Sequence, residues 1–127
     1  MAKNEIVTQV YEVNRISCGT EIKGSLISSS DIRLDGYFEG RLITSGKLVV
    51  GESAKLLGDV VCRSCDNWGV MEGKLVVKEI FGLKKTGTIT GNIGCEKIFI
   101  EEGGIFNGSC KIIDEQTFEE LKVKFSQ

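Results

Sequence analysis

The chain has 127 residues, with 18 acidic and 16 basic side chains, no histidine and no proline. Its length sets a single domain, and a net charge of −2 with the signs interspersed gives no nucleic-acid stripe. With no histidine, the chain has no Ser-His or Cys-His nucleophile pair, no histidine base and no histidine-ligated metal, so neither catalysis nor a cofactor is expected.

Residues 1–15 are the least patterned. Val7, Val10, Val13 and Ile16 recur every three residues, which suits neither strand nor helix; the segment reads as a flexible N-terminal tail or a partial first coil. Ile6 and Val7 beside Lys3 offer too little apolar area and charge for a surface anchor, so direct membrane contact is expected to be weak or absent. The opening MAKNEIV lacks the apolar core of a signal peptide. No apolar run approaches the roughly 20 residues that span a bilayer, and the expected location is cytoplasmic.

From residue 16 to residue 113 one plan recurs. Ile22-Gly24-Leu26, Phe38-Gly40-Leu42, Leu56-Gly58-Val60, Met71-Gly73-Leu75, Ile89-Gly91-Ile93 and Phe106-Gly108-Cys110 share it, with glycine steps of 16, 18, 15, 18 and 17 residues. A second apolar pair follows in most units: Ile32 and Leu34, Leu48 and Val50, Phe81 and Leu83, Ile98 and Ile100. A repeat this short holds one coil of a solenoid, and apolar residues two apart read as half-buried strand. The glycine either lets neighbouring backbones approach closely or marks a bend. Strand, corner, strand and turn without helices describe a parallel β-helix of about six coils, all-β, forming a rod about 30 Å long at about 4.8 Å per coil. The absence of proline suits uninterrupted ladders.

The third coil departs from the plan. Eight and ten residues after Gly58 stand Asp66 and Trp68 instead of an apolar pair, so this coil is read as shortened or bulged, with Trp68 filling the gap. Cys62 and Cys65 form a lone CxxC there; Cys18, Cys95 and Cys110 lie on other coils. Five cysteines in a cytoplasmic chain read as reduced thiols serving as small apolar residues rather than as a metal site or a disulfide framework. GRLITSGKL, residues 40–48, approaches a phosphate loop, but its glycines are six apart and Leu48 stands where a hydroxyl is needed. The period of about 17 does not resolve into the sixes of a hexapeptide acyltransferase. Glu101-Glu102 reads as a solvated turn.

Three stretches, DIRLDGYFEG at 31–40, KLVVGESAKLLGDV at 47–60 and IEEGGIFNGSC at 100–110, resemble the bactofilins, bacterial cytoskeletal proteins that form filaments. The resemblance implies a right-handed parallel β-helix with triangular coils. It also implies filaments built without nucleotide by end-to-end stacking with matched ends, commonly at the inner face of the cytoplasmic membrane in cell-shape and wall-growth roles. The chain lacks the proline-rich tails that family members often carry.

The ends of such a rod leave unpaired strand edges and the top of the core facing outward, and a solenoid that stays monomeric carries a polar cap. The first full coil offers Ile22, Leu26, Ile32 and Leu34, and the last offers Ile105, Phe106, Cys110 and Ile112; neither set is polar. Phe106 reads either as an ordinary core residue or as the floor of a stacking interface, and it is the foremost candidate for an effect on assembly. In residues 114–127, Thr117 to Glu120 resembles a capping box with Phe118, Leu121 and Phe125 on one helix face, while Leu121, Val123 and Phe125 also alternate as a strand would. Either form could cover the last coil or lie free. The expectation is a self-assembling structural protein whose partner is itself; the alternative is a non-polymerising β-helical scaffold that binds a cell-envelope protein.

Overall fold

A computed structural model of the chain describes residues 12–125. Short and long strands alternate: β1 (Val13–Ile16), β2 (Glu21–Ser28), β3 (Asp31–Leu34), β4 (Tyr37–Thr44), β5 (Lys47–Val50), β6 (Lys55–Cys62), β7 (Ser64–Asn67), β8 (Val70–Val77), β9 (Ile80–Leu83), β10 (Thr88–Cys95), β11 (Lys97–Ile100) and β12 (Ile105–Ile112), closed by the helix α1 (Glu115–Phe125). The short strands stack as one six-stranded parallel sheet and the long strands as another, so each coil hydrogen-bonds to the coils above and below. The chain is a parallel β-solenoid of about six turns.

The unequal glycine steps follow from the connections alone. Every coil keeps an eight-residue and a four-residue strand. The corner between them takes two residues, or one at Arg63 and at Glu96. The turn into the next coil takes four residues, or two at Asp35-Gly36 and Trp68-Gly69. Strand register is thereby preserved, and the inward side chains form continuous columns: Ile22, Phe38, Leu56, Met71, Ile89 and Phe106 in one, and Leu26, Leu42, Val60, Leu75, Ile93 and Cys110 in the next. Away from the ends these positions are fully buried and make one core.

The mid-strand glycines serve both of the expected purposes. Gly40, Gly58, Gly73, Gly91 and Gly108 have φ between +136° and +145°, a conformation that bends each long strand at its middle and that L side chains rarely adopt. A Cβ at Gly73 would also fall 1.9 Å from the Gly58 carbonyl oxygen, so successive coils pass too closely at this edge for any side chain.

The third coil is indeed short. Its inward pair is Cys65 and Asn67, in register with Leu48 and Val50, because the one-residue corner at Arg63 shifts the pair one position earlier. Asp66 therefore faces out and pairs with Lys47 at 2.9 Å. Asn67 is fully buried yet satisfied: its Nδ2 donates to the Thr88 carbonyl at 3.1 Å and its Oδ1 accepts from the Gly69 N–H at 2.9 Å. Trp68 is half-buried on the turn outside the core, with Lys84 Nζ 5.6 Å from the ring centroid.

The C-terminal segment is a helix. Its N-cap is Asp114, whose Oδ1 accepts from the Thr117 N–H at 2.8 Å, so the cap lies three residues before the capping box suggested by Thr117 to Glu120. The Thr117 hydrogen bonds hold the Asp114 carboxyl below its usual range. Phe118, Leu121 and Phe125 form the packed face, the helical one of the two alternatives that their spacing left open. They rest on Val61, Val76 and Ile113 on the outer side of the long-strand sheet, with Phe118 only 5% exposed. The helix thus lies along the flank of the rod and does not cover the last coil.

Candidate assembly interface at the ends of the solenoid

At the C-terminal end, β11 and β12 are the last strands of their sheets and have no partner on their outer side among the described residues. The inner columns end there in Ile98, Ile100, Phe106, Cys110 and Ile112. Their equivalents one coil back, Phe81, Leu83, Ile89, Ile93 and Cys95, are almost wholly buried. In the last coil Ile112 is 60% and Ile100 53% exposed, Cys110 is exposed, and Ile98 and Phe106 are partly buried. The result is an apolar layer framed by free backbone donors and acceptors, which can pair with another edge of the same kind.

Three of the sequence-predicted end positions fall elsewhere. Ile105 aligns with Thr88 in an outward column, so it is exposed on the flank beside the end rather than on the inner layer. Ile32 and Leu34, expected in the first coil, are buried one layer in, because Val13–Ile16 forms β1 and places Asn14 and Ile16 over them. Residues 13–15, read from sequence as tail or as a partial first coil, thus belong to the solenoid; the membrane reading of Lys3, Ile6 and Val7 lies outside the described residues. Ile98 and Ile100 at one end and Asn14 and Ile16 at the other complete the terminal layers. The register could have revealed them, since each short strand stacks directly on the short strand of the coil before it.

The N-terminal layer is less apolar. Ile22 and Leu26 are half-buried and Ile16 is covered, but Asn14 stands exposed and its Nδ2 donates to Ser28 Oγ at 3.0 Å. A hydrogen-bonded polar pair thus occupies positions that the other end fills with Ile98 and Ile112.

The cysteines divide by place. Cys62, Cys65 and Cys95 are buried in the columns, while Cys18 is exposed on a turn and Cys110 on the terminal layer, 3.8 Å from Cys95 Sγ to Sγ. Burial, with the Cys110 thiol beside it, pushes the Cys95 thiol up to about 12. The hydrogen bond with Cys62, then burial, raises Cys65 well above its ordinary value. Thiols so held stay neutral and behave as apolar filling.

No helix among the described residues is long and apolar enough to cross a membrane. No curated protein matches the chain. Among solved structures, the chain is similar to Thermus thermophilus bactofilin, seen by cryo-EM reconstruction as double helical filaments, with a TM-score of 0.73 and 24% identity over 79% of this chain and 99% of that one. A sequence model of the bactofilins, described as polymer-forming cytoskeletal proteins, matches residues 14–111. That span takes in nearly the whole solenoid, and the chain belongs to the bactofilin family.

Proposed function

We propose that the chain is a structural protein that assembles with copies of itself through the ends of its solenoid, without nucleotide, into filaments that organise cell shape or the cell envelope from the cytoplasmic side. The observation that carries this reading is the open apolar layer of Ile98, Ile100, Phe106, Cys110 and Ile112, left uncovered while α1 packs along the flank. Fully burying a side chain of this size contributes about 1.5–3 kcal/mol. Several on each copy, with main-chain pairing along β11 and β12, are enough to offset the roughly 4–15 kcal/mol that association costs.

Column chemistry favours joining like ends. An in-register stack of a last coil on a first coil would set Ile98 over Asn14 and Ile112 over Ser28, burying polar groups under apolar ones. A last coil facing a last coil meets apolar surface throughout.

Electron microscopy of the purified chain at physiological salt without nucleotide, beside a Phe106→Arg variant with unchanged circular dichroism, tests the reading. Filaments in the parent that vanish in the variant are the expected result. A parent that remains monomeric at high concentration overturns it and leaves the scaffold reading.

A further inference from the structure

Beside α1, a groove of about 450 Å³ opens between the helix and the outer side of the last coils. Val76, Ile113, Leu121 and Phe125 give it apolar walls, and Gly94 leaves the sheet flat at its base. Lys74, Lys111 and Lys124 stand around it, and no carboxylate lines it. None of these three lysines is ion-paired among the described residues, whereas Lys47, Lys78 and Lys84 each have a carboxylate partner. Three lysines without an ion-pair partner among the described residues, around one apolar groove that no carboxylate lines, mark the surface as complementary to an anion with an apolar body, even with Asp59 in register beside Lys74.

We propose that this groove docks a short acidic, apolar peptide segment of a partner protein. A peptide fits better than a bilayer, because Leu121 and Phe125 turn inward against the sheet while α1 exposes Glu119 and Glu120, which repel an anionic surface. The site belongs to this chain rather than to the matched family segment: that segment ends at residue 111, and α1 forms one wall. In an assembled polymer each copy presents one groove, so a weak single contact becomes a strong multivalent one.

Fluorescence anisotropy with a labelled peptide of alternating Glu, Leu and Phe, against a control carrying Lys for Glu, reads the site directly. The Phe106→Arg background keeps the measurement independent of assembly. The acidic peptide is expected to bind, to weaken as salt rises, and to lose roughly tenfold or more in affinity in Lys74→Glu/Lys111→Glu, whose circular dichroism stays unchanged because both lysines are exposed. Failure of the acidic peptide to bind, equal binding of the basic control, or unaltered affinity in the double variant overturns the proposal. Co-sedimentation with phosphatidylglycerol vesicles in place of peptide binding overturns it in favour of a membrane.

Discussion

The glycine edge offers a comparison in which one variant is the other's control. Gly73 and Gly24 have nearly the same backbone, at φ +136° and +137°. A Cβ on Gly73 would lie 1.9 Å from the Gly58 carbonyl oxygen, while one on Gly24 meets nothing within 4 Å among the described residues. Alanine at either site is strained by about 1–3 kcal/mol in this sparsely populated region, less the roughly 0.4–1 kcal/mol gained by restricting the unfolded chain. At Gly73 the coils must also part by about 1.5 Å to reach ordinary contact at 3.4 Å, which breaks ladder hydrogen bonds and adds about 1–3 kcal/mol of overpacking. Gly73→Ala is therefore expected to destabilise by about 1–5.5 kcal/mol and Gly24→Ala by no more than about 2.5, leaving Gly73→Ala the worse by about 1–3. Urea unfolding followed by circular dichroism, in the Phe106→Arg background with comparable m-values, measures the difference. If the two variants lose equal stability, close passage of the coils is not what demands glycine here.

Three further outcomes follow from individual side chains. Asn67→Ala leaves the Gly69 N–H without its side-chain acceptor inside the core and is expected to cost about 2–3 kcal/mol in the same unfolding assay, far more than an exposed substitution. A thiol titration of the unassembled native chain should modify Cys18 and Cys110 and spare Cys62, Cys65 and Cys95; on assembly Cys110 should become protected, and continued reactivity there in filaments would contradict stacking through the last coil. Because the folded Asp114 carboxyl is held below its unfolded value, its contribution to α1 is complete above the unfolded pKa and is lost as pH falls through the folded one. Hydrogen-exchange protection of α1 amides, taken relative to the intrinsic exchange rate at each pH, should therefore fall in acid in the parent, and Asp114→Ala should show weak protection at neutral pH as well; a variant that matches the parent at neutral pH would refute the cap.

Much of the rod was legible from the chain, because a solenoid writes its geometry locally. The period-two alternation about each glycine names the inward side chains, and the recurrence of that pattern names the columns into which they stack. The apolar character of Phe106, Cys110 and Ile112 at the last repeat was equally plain. The variable glycine step was legible as a fact but not as a cause: strand lengths are constant, and the differences lie in one-residue or two-residue corners and two-residue or four-residue turns. For that reason Asp66 and Trp68 took places that belong to Cys65 and Asn67.

The sequence by itself determined the coil count, the parallel stacking and the apolar last coil, since each rests on side-chain parity within a few residues. Only the tertiary structure decided what depends on contact between distant parts. Val13–Ile16 becomes a strand because it pairs with β3, a partner that its own spacing does not announce. Leu121, Val123 and Phe125 suit helix and strand alike, and the outer surface of Val61, Val76 and Ile113 selects the helix by burying Phe118, Leu121 and Phe125 together. Placed there, α1 leaves the last coil open and builds the lysine-rimmed groove, two consequences that burial against the flank settled and local pattern left undetermined.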